Sequence, residues 1–399
     1  MAVGDVLPLE LSTLDRQRLQ EALSLAESSF GLTEPNPRVG CVIGLEDGRV
    51  LGRGATQQAG GPHAEVMALR DAQTQGHQIQ GATAWVTLEP CAHHGRTPPC
   101  CDALIAAGLS RVVVALADPF PQVNGAGIAR LRAAGINVVL ADRPGIGAAD
   151  EDIAAAARDI NIGFLSRVQR GTPWVRMKIA ASMDGVTALA DGQSQWITGD
   201  AARRDGHAWR RRASAVMTGI GTVLADDPQL NVRWVPTAAQ PLRVVVDSTW
   251  RLPPSARLLQ GPGAVLVAGA SDPLLAAPAL AASGATLLHV PAADGRVDLA
   301  SMLRQLAARG VNELHVEAGA VLNGALLRAG LVDELLFYMA PRLVGPGRPM
   351  ALWPALQTLA DAVDFKLVGV QQLGDDLRIR ALPCAPKLRT STEEKPDSA

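Results

Sequence analysis

The chain has 399 residues, room for two or three domains, with 48% hydrophobic and 19% charged residues and 39 Gly beside 27 Pro, the profile of folded domains rather than low-complexity sequence. Lys and Arg number 37 against 39 Asp and Glu, and aromatics make up 3%, so the chain offers neither long-range attraction to phosphate polymers or anionic membranes nor a stacking platform for bases. No nucleic-acid or membrane partner is expected.

The first 17 residues lack a basic flank and an apolar core, so no secretion signal is read there. The stretch 273–293 is broken by Pro273, Pro278 and Gly284 and reads as loop, short helix and buried strand rather than a span. Residues 14–30 follow a helical repeat through Leu19, Ala22, Leu23, Ala26 and Phe30, with Ser12 and Asp15 as a start. Two apolar runs around Glu46-Asp47-Gly48 predict a hairpin, and the segment after Pro62 predicts a helix from His63 to Ala72. Strands are expected at 82–88, 111–117 and 136–140, and helices at 100–107 and 128–134, an alternation that predicts a sheet covered on both faces. The turn-rich 142–152 leads to an Ala-rich helix reaching about 165, and Gly171-Thr172-Pro173 resets the pattern. Strands then recur at 174–183, 215–220, 242–248, 263–269, 313–319 and 334–344. A first domain at 1–145, a linker with a helix at 146–172, a second domain at 173–385 and a disordered tail at 386–399 are expected.

Five cysteines are too few and too uneven for a disulfide scaffold, and Cys91, Cys100 and Cys101 cluster, which suggests a metal or reactive site in a reducing, cytoplasmic compartment. His63, Cys91 and Cys100 offer one imidazole and two thiolates, three ligands for one Zn²⁺ per chain with the fourth position open to water. His63 and Cys100 both fall at expected helix starts, where the dipole favours a thiolate. Glu65, beside a ligand, is placed to carry a proton between water, a ring nitrogen and a leaving amine. A closed structural site, completed by Cys101, His93 or His94, is the competing reading. Cys41 reads as a buried small hydrophobe.

The pattern resembles the zinc nucleobase deaminases with their H-x-E and P-C-x-x-C motifs, except that Cys91 and Cys100 stand nine positions apart. That spacing, with PNPRVGCVI (35–43), GGPHAEVMAL (60–69), VTLEPCAHHGRTPPCCDALI (86–105) and ADPFPQVNGAGI (117–128), resembles the bifunctional riboflavin-biosynthesis deaminase–reductase family. The resemblance implies a cytidine-deaminase-like αβα sandwich acting on a phosphorylated diaminopyrimidinone. It implies zinc at His63, Cys91 and Cys100, proton transfer by Glu65, and a pyrimidine contact from Asn36. A nucleic-acid base deaminase is the alternative.

The second half contains no dinucleotide fingerprint. Gly125-Ala126-Gly127 has Arg130 where a third glycine is needed, and Gly219-Ile220-Gly221 stops at two. Gly319 to Gly324 has P-loop spacing without the following Lys-Ser/Thr. A strand ending near Glu317, a glycine turn and a helix start leave an anion seat without that signature. Together with SMDG (182–185), SQWIT (194–198), TVLADDPQLNVR (222–233) and VVDS (245–248), it resembles the family's reductase, an α/β domain of dihydrofolate-reductase-like fold, over about 174–382. The resemblance implies NADPH contacts at Ala180, Trp196, Thr222, Asp226, Ser248 and Gly319, Ala320, Val321, Leu322, Asn323, Gly324 and Ala325. It implies substrate contacts at Ser194, Arg210, Leu230, Arg233 and Glu317. Arg210 and Arg233 suit a bidentate grip on a 5′-phosphate, and Lys178 suits the C1′ group or a carboxylate. A homo-oligomer is left open.

Overall fold

Ser12 starts the first helix as expected: its hydroxyl accepts the Asp15 N–H while the Asp15 carboxylate reaches back to the Ser12 N–H, closing a capping box on α1 (Thr13–Ser28). Leu19, Ala22, Leu23 and Ala26 form its buried face. The computed structural model describes residues 11–92, 98–120, 124–143, 147–273 and 277–384. The expected tail at 386–399, the tested N-terminal stretch before Leu11, and His93 and His94 lie outside them.

The chain forms two compact units, one of Met1–Trp174 with Arg204–Val316, the other of Val175–Arg203 with Glu317–Ala399. The first contains a five-stranded sheet in the order β2-β1-β3-β4-β5, made of β1 (Gly40–Gly44), β2 (Val50–Ala55), β3 (Thr83–Val86), β4 (Arg111–Val114) and β5 (Asn137–Leu140). The expected hairpin pairs β1 with β2 antiparallel, and β3, β4 and β5 run parallel. Helices α2 (Ala64–Thr74), α3 (Cys100–Ala106) and α4 (Ala126–Ala133) connect these strands. The expected Ala-rich helix is two: α5 (Ala148–Ile160) and α6 (Ile162–Arg170). The break falls at Asn161, whose side-chain oxygen accepts the Arg38 N–H at 2.8 Å and whose amide donates to the Arg38 carbonyl at 3.0 Å. Such a clamp holds Asn161 outside regular helix geometry, with φ −104° and ψ 13°.

The same unit holds five strands in the order β11-β10-β9-β8-β12, every neighbouring pair parallel. They are β8 (Ala215–Gly219), β9 (Leu242–Val246), β10 (Val265–Gly269), β11 (Thr286–His289) and β12 (Glu313–Val316). Helix α7 (Asp200–Arg212) precedes β8 and α8 (Ile220–Asp226) follows it. Parallel pairing buries both faces, which accounts for the uninterrupted apolar run of β10, buried throughout.

The second unit contains β6 (Trp174–Ser182, of which Trp174 belongs to the first unit), β13 (Glu334–Ala340), β16 (Asp376–Pro383) and β15 (Phe365–Leu373), in that spatial order. β6 and β13 are parallel, and β15 and β16 form an antiparallel hairpin around Gly374, at φ +65°. The sequence reading did not place this hairpin as strands. β7 (Val186–Leu189) and β14 (Gly347–Pro349) pair separately.

Candidate active sites

His63 is the N-cap of α2, with extended backbone, so Glu65 falls in the first helical turn. The helix lies directly on β2 because Gly54 has no side chain: a Cβ there would overlap the Ala64 carbonyl. Gly54 pairs with Cys41 across the sheet, and paired residues share a face, so Cys41 sits under the same helix. Its thiol is pushed upward by burial and then by the charge of Glu65. Cys41 is fully buried, the small core residue expected.

Strand β3 delivers the turn Glu89-Pro90-Cys91, and Cys100 is the first residue of α3. His63 Nδ1 stands 3.7 Å from Cys91 Sγ and 3.2 Å from Cys100 Sγ, and the three ligand atoms all lie within 4.8 Å of one another. Tetrahedral donors bound to zinc at about 2.0–2.3 Å stand roughly 3.5 Å apart, so this nitrogen and two sulfurs fit the ion. The Cys100 N–H donates to Cys91 Sγ at 3.3 Å. The side-chain hydrogen bond with Cys100 works against burial and, with the His63 contact and this N–H, draws the Cys91 thiol down to about 4. The contact with Cys91, then burial, raises Cys100, and His63 is raised chiefly by Cys91. The protein alone favours one thiolate; a dication among the three atoms favours two.

Glu65 is buried, and burial, followed by the negative charge of Cys91, pushes its carboxyl up to about 7. A carboxyl at that value gains and loses a proton near neutral pH. Among the described residues the ligand group has three members. Cys101 is buried beside it, its thiol pushed up to about 11 by burial, and its N–H donates to the Cys91 carbonyl at 3.2 Å.

Glu89 had no role in the sequence reading. Its Oε2 accepts the Asp118 and Gly125 N–H groups at 3.3 and 3.1 Å, and its Oε1 those of Gly127 and Ile128 at 3.0 and 3.2 Å. One carboxylate thus fastens the turn before Cys91 to the start of α4. The glutamate of the EPC motif was visible in the sequence; its donors, 29 to 39 residues further on, were not.

Asn36 is half-buried in the loop leading into β1, its N–H donating to the Thr33 carbonyl at 2.9 Å.

Of the reductase residues, Arg210, Thr222, Asp226, Leu230, Arg233 and Ser248 belong to the first unit. Arg210 Nη1 donates to the Asn231 carbonyl at 2.9 Å and Arg233 Nη1 to Asn231 Oδ1 at 2.7 Å, so one asparagine gathers both guanidinium groups. Leu230, buried beside it, has φ +53°. Thr222 and Asp226 lie on α8 at the carboxyl end of β8, and Ser248 follows the adjacent β9. Open α/β sheets bind ligands at the carboxyl ends of their strands.

In the second unit, β6 carries Lys178 and Ala180, with Lys178 Nζ 5.7 Å from the centre of the Tyr338 ring. Ser194 precedes Trp196, which is exposed and has the Arg203 guanidinium 4.5 Å over its ring. Glu317 leads to Gly319, the N-cap of helix Ala320–Arg328, where, among the described residues, no side-chain cap hydrogen bond is made. Uncapped groups of this kind suit a cofactor phosphate. Val321 is exposed, whereas Leu322, Asn323 and Gly324 are buried beneath. The Asn323 amide donates to the Ala318 and Met350 carbonyls at 3.1 and 2.9 Å, and a Cβ on Gly324 would overlap the Leu352 carbonyl. Ala325, half-buried, continues the helix.

A family model described as the RibD C-terminal domain matches residues 173–379, and one described as the cytidine and deoxycytidylate deaminase zinc-binding region matches 12–116. The riboflavin biosynthesis protein RibD of Escherichia coli strain K12 is 45% identical over 376 residues, covering 91% of this chain and 98% of its own. The chain belongs to the RibD family. The structure of Acinetobacter baumannii RibD, 43% identical, superposes with a TM-score of 0.81 over 93% of this chain and 99% of its own. A Thermotoga maritima structure, described as a diaminohydroxyphosphoribosylaminopyrimidine deaminase/5-amino-6-(5-phosphoribosylamino)uracil reductase, is 31% identical with a TM-score of 0.81 over 93% of this chain and 99% of its own. The expected pairing of a cytidine-deaminase-like fold with a reductase fold is borne out. As a RibD protein the chain is a bifunctional enzyme of riboflavin biosynthesis, a zinc-dependent deaminase and an NADPH-dependent reductase, acting on a phosphorylated pyrimidine. No described helix is long and apolar enough to cross a membrane.

Proposed function

We propose that the chain releases the 2-amino group of 2,5-diamino-6-ribosylamino-4(3H)-pyrimidinone 5′-phosphate as ammonia and then reduces the opened ribosyl group to ribityl. The observation carrying this reading is the convergence of His63 Nδ1 with the Cys91 and Cys100 sulfurs, beside a buried Glu65. His63, Cys91 and Cys100 hold the zinc. When bound, zinc would lower the pKa of a water to about 7. Glu65 carries two protons in turn: the first from the attacking water to the ring nitrogen, the second from the added hydroxyl to the amine, which departs as ammonia as the C–N bond breaks and the carbonyl forms. Asn36 contacts the pyrimidine.

In the reductase, Ala180, Trp196, Thr222, Asp226, Ser248 and residues 319–325 bind NADPH, with the uncapped helix start taking a phosphate. Arg210 and Arg233 hold the 5′-phosphate, Ser194, Leu230 and Glu317 orient the rest of the substrate, and Lys178 faces the C1′ group. The protein orients the two reactants and excludes water, while the nicotinamide supplies the hydride. The deaminase occupies 1–145 and the reductase 173–385, in the cytoplasm, without a nucleic-acid partner.

The test is incubation with this pyrimidine phosphate, following ammonia and the ribityl product separately. Ammonia is expected without NADPH, and the ribityl product only with it. Inosine formed in an RNA pool, with no turnover of the pyrimidine, would overturn the reading.

A further inference from the structure

The peptide unit that introduces Asn36 is held at both ends. The Asn36 N–H donates to the Thr33 carbonyl at 2.9 Å. On the other side of that peptide plane, the Pro35 carbonyl accepts Asn312 Nδ2 and Arg167 Nη2, each at 3.1 Å. The same Asn312 amide donates to Glu34 Oε2 at 2.6 Å, and Asn312 Oδ1 accepts Arg167 Nε at 2.6 Å. Glu34 Oε1 accepts Arg38 Nη2 at 2.6 Å. The loop from Glu34 to Arg38 is therefore gripped by α6 and by the residue just before β12, within one compact unit. The anchors are not loose surface contacts, because Asn312 is buried.

We propose that Asn312 and Arg167 are positioning residues for the deaminase: by fixing the Pro35–Asn36 peptide plane they aim Asn36 at the pyrimidine. The substrate loop of the deaminase is then completed by a residue of the reductase sequence. The inference rests on the reading of Asn36 as a pyrimidine contact. Rotation of a peptide plane swings the following side chain, and small misplacements of a positioning group weaken productive binding. His63, Glu65, Cys91 and Cys100 stand on α2, α3 and the turn after β3, not on this loop. Loss of the anchors therefore raises KM for deamination and leaves kcat in place. A contact that merely joined two parts of the fold would affect stability and not this KM.

The experiment compares Asn312→Ala, Arg167→Met and Asn36→Ala in the full chain, reading deaminase KM and kcat, zinc content and reductase kinetics. All three variants are expected to raise the deaminase KM, the two anchor variants by about three- to tenfold, as for loss of one or two hydrogen bonds. Deaminase kcat, bound zinc and the reductase constants stay near wild type in the two anchor variants. An effect of Asn36→Ala alone overturns the inference and spares the reading of Asn36; no effect of Asn36→Ala overturns both. A parallel fall of both activities in the anchor variants also overturns the inference. Arg167 is half-exposed, so Arg167→Met decides the matter if Asn312→Ala fails to fold.

Discussion

Arg38 and Glu313, 275 positions apart in the chain, form an ion pair in the interior, with 4% and 0% of their side chains exposed. Glu313 shares its carboxylate with Arg212 Nε at 2.9 Å, Arg212 Nη1 reaches Asp159 Oδ2 at 3.0 Å, and both guanidinium groups lie over the Phe30 ring. Charges of alternating sign thus connect the loop before β1, α5, α7 and β12. Removing Arg38 leaves the buried Glu313 with Arg212 as its remaining ion-pair partner and takes the cation from Glu34. Arg38→Met is expected to cost about 3 kcal/mol in urea unfolding, whereas Arg49→Met, at an exposed pair with Asp47, should leave the midpoint unchanged. Equal, negligible effects would show that the network adds nothing to stability.

Glu65→Gln keeps the shape of the side chain and removes its proton chemistry. Ammonia release should fall about 10²- to 10⁴-fold, with zinc content and reduction unchanged. Wild-type ammonia release from this variant would remove Glu65 from the reaction.

Cys91→Ser replaces a thiolate donor with a hydroxyl. Metal analysis of the purified variant should show zinc well below one per chain, and deamination should fall with it. Full zinc occupancy would mean that the ion is held elsewhere.

Arg233→Ala should weaken the phosphorylated reductase substrate by about ten- to a hundredfold, the scale of a lost charged hydrogen bond. A dephosphorylated analogue should lose far less. Equal losses for both would place Arg233 away from the phosphate.

Asp15 bears on acid stability. Burial pushes its carboxyl upward, but hydrogen bonds from Arg111, Trp85 and Ser12 outweigh burial and hold it at about 2, against 3.8 ordinarily. A folded-state value below the unfolded one stabilises the fold above the unfolded pKa. That contribution, about 2 kcal/mol, disappears as pH falls through roughly 4 to 2. The stability gap between wild type and Asp15→Asn should therefore close over that interval. A gap independent of pH would refute the assignment.

The cluster of His63, Cys91 and Cys100 was legible before any fold was known because its parts are local: a histidine where α2 starts, a glutamate in the next turn, a cysteine after a strand and another opening α3. The buried stripe of α1 and its Ser12–Asp15 cap were legible for the same reason, since backbone periodicity and capping act over a few residues. The β15–β16 hairpin was missed because much of β15 is solvent-exposed, so no core-facing alternation marks it. The break at Asn161 escaped notice too, because its partner is the backbone of Arg38, 123 positions away.

Residue type and short spacing sufficed to name the chemistry and to single out the cluster of His63, Cys91 and Cys100 with Glu65 beside it, since these depend on donor atoms and on helix starts. Four backbone donors on Glu89, Arg210 on the Asn231 carbonyl and the grip of Asn312 on the loop of Asn36 became visible once the chain was folded. Each joins groups that chain connectivity leaves far apart, and a buried polar atom finds its partner through packing rather than through its neighbours in sequence.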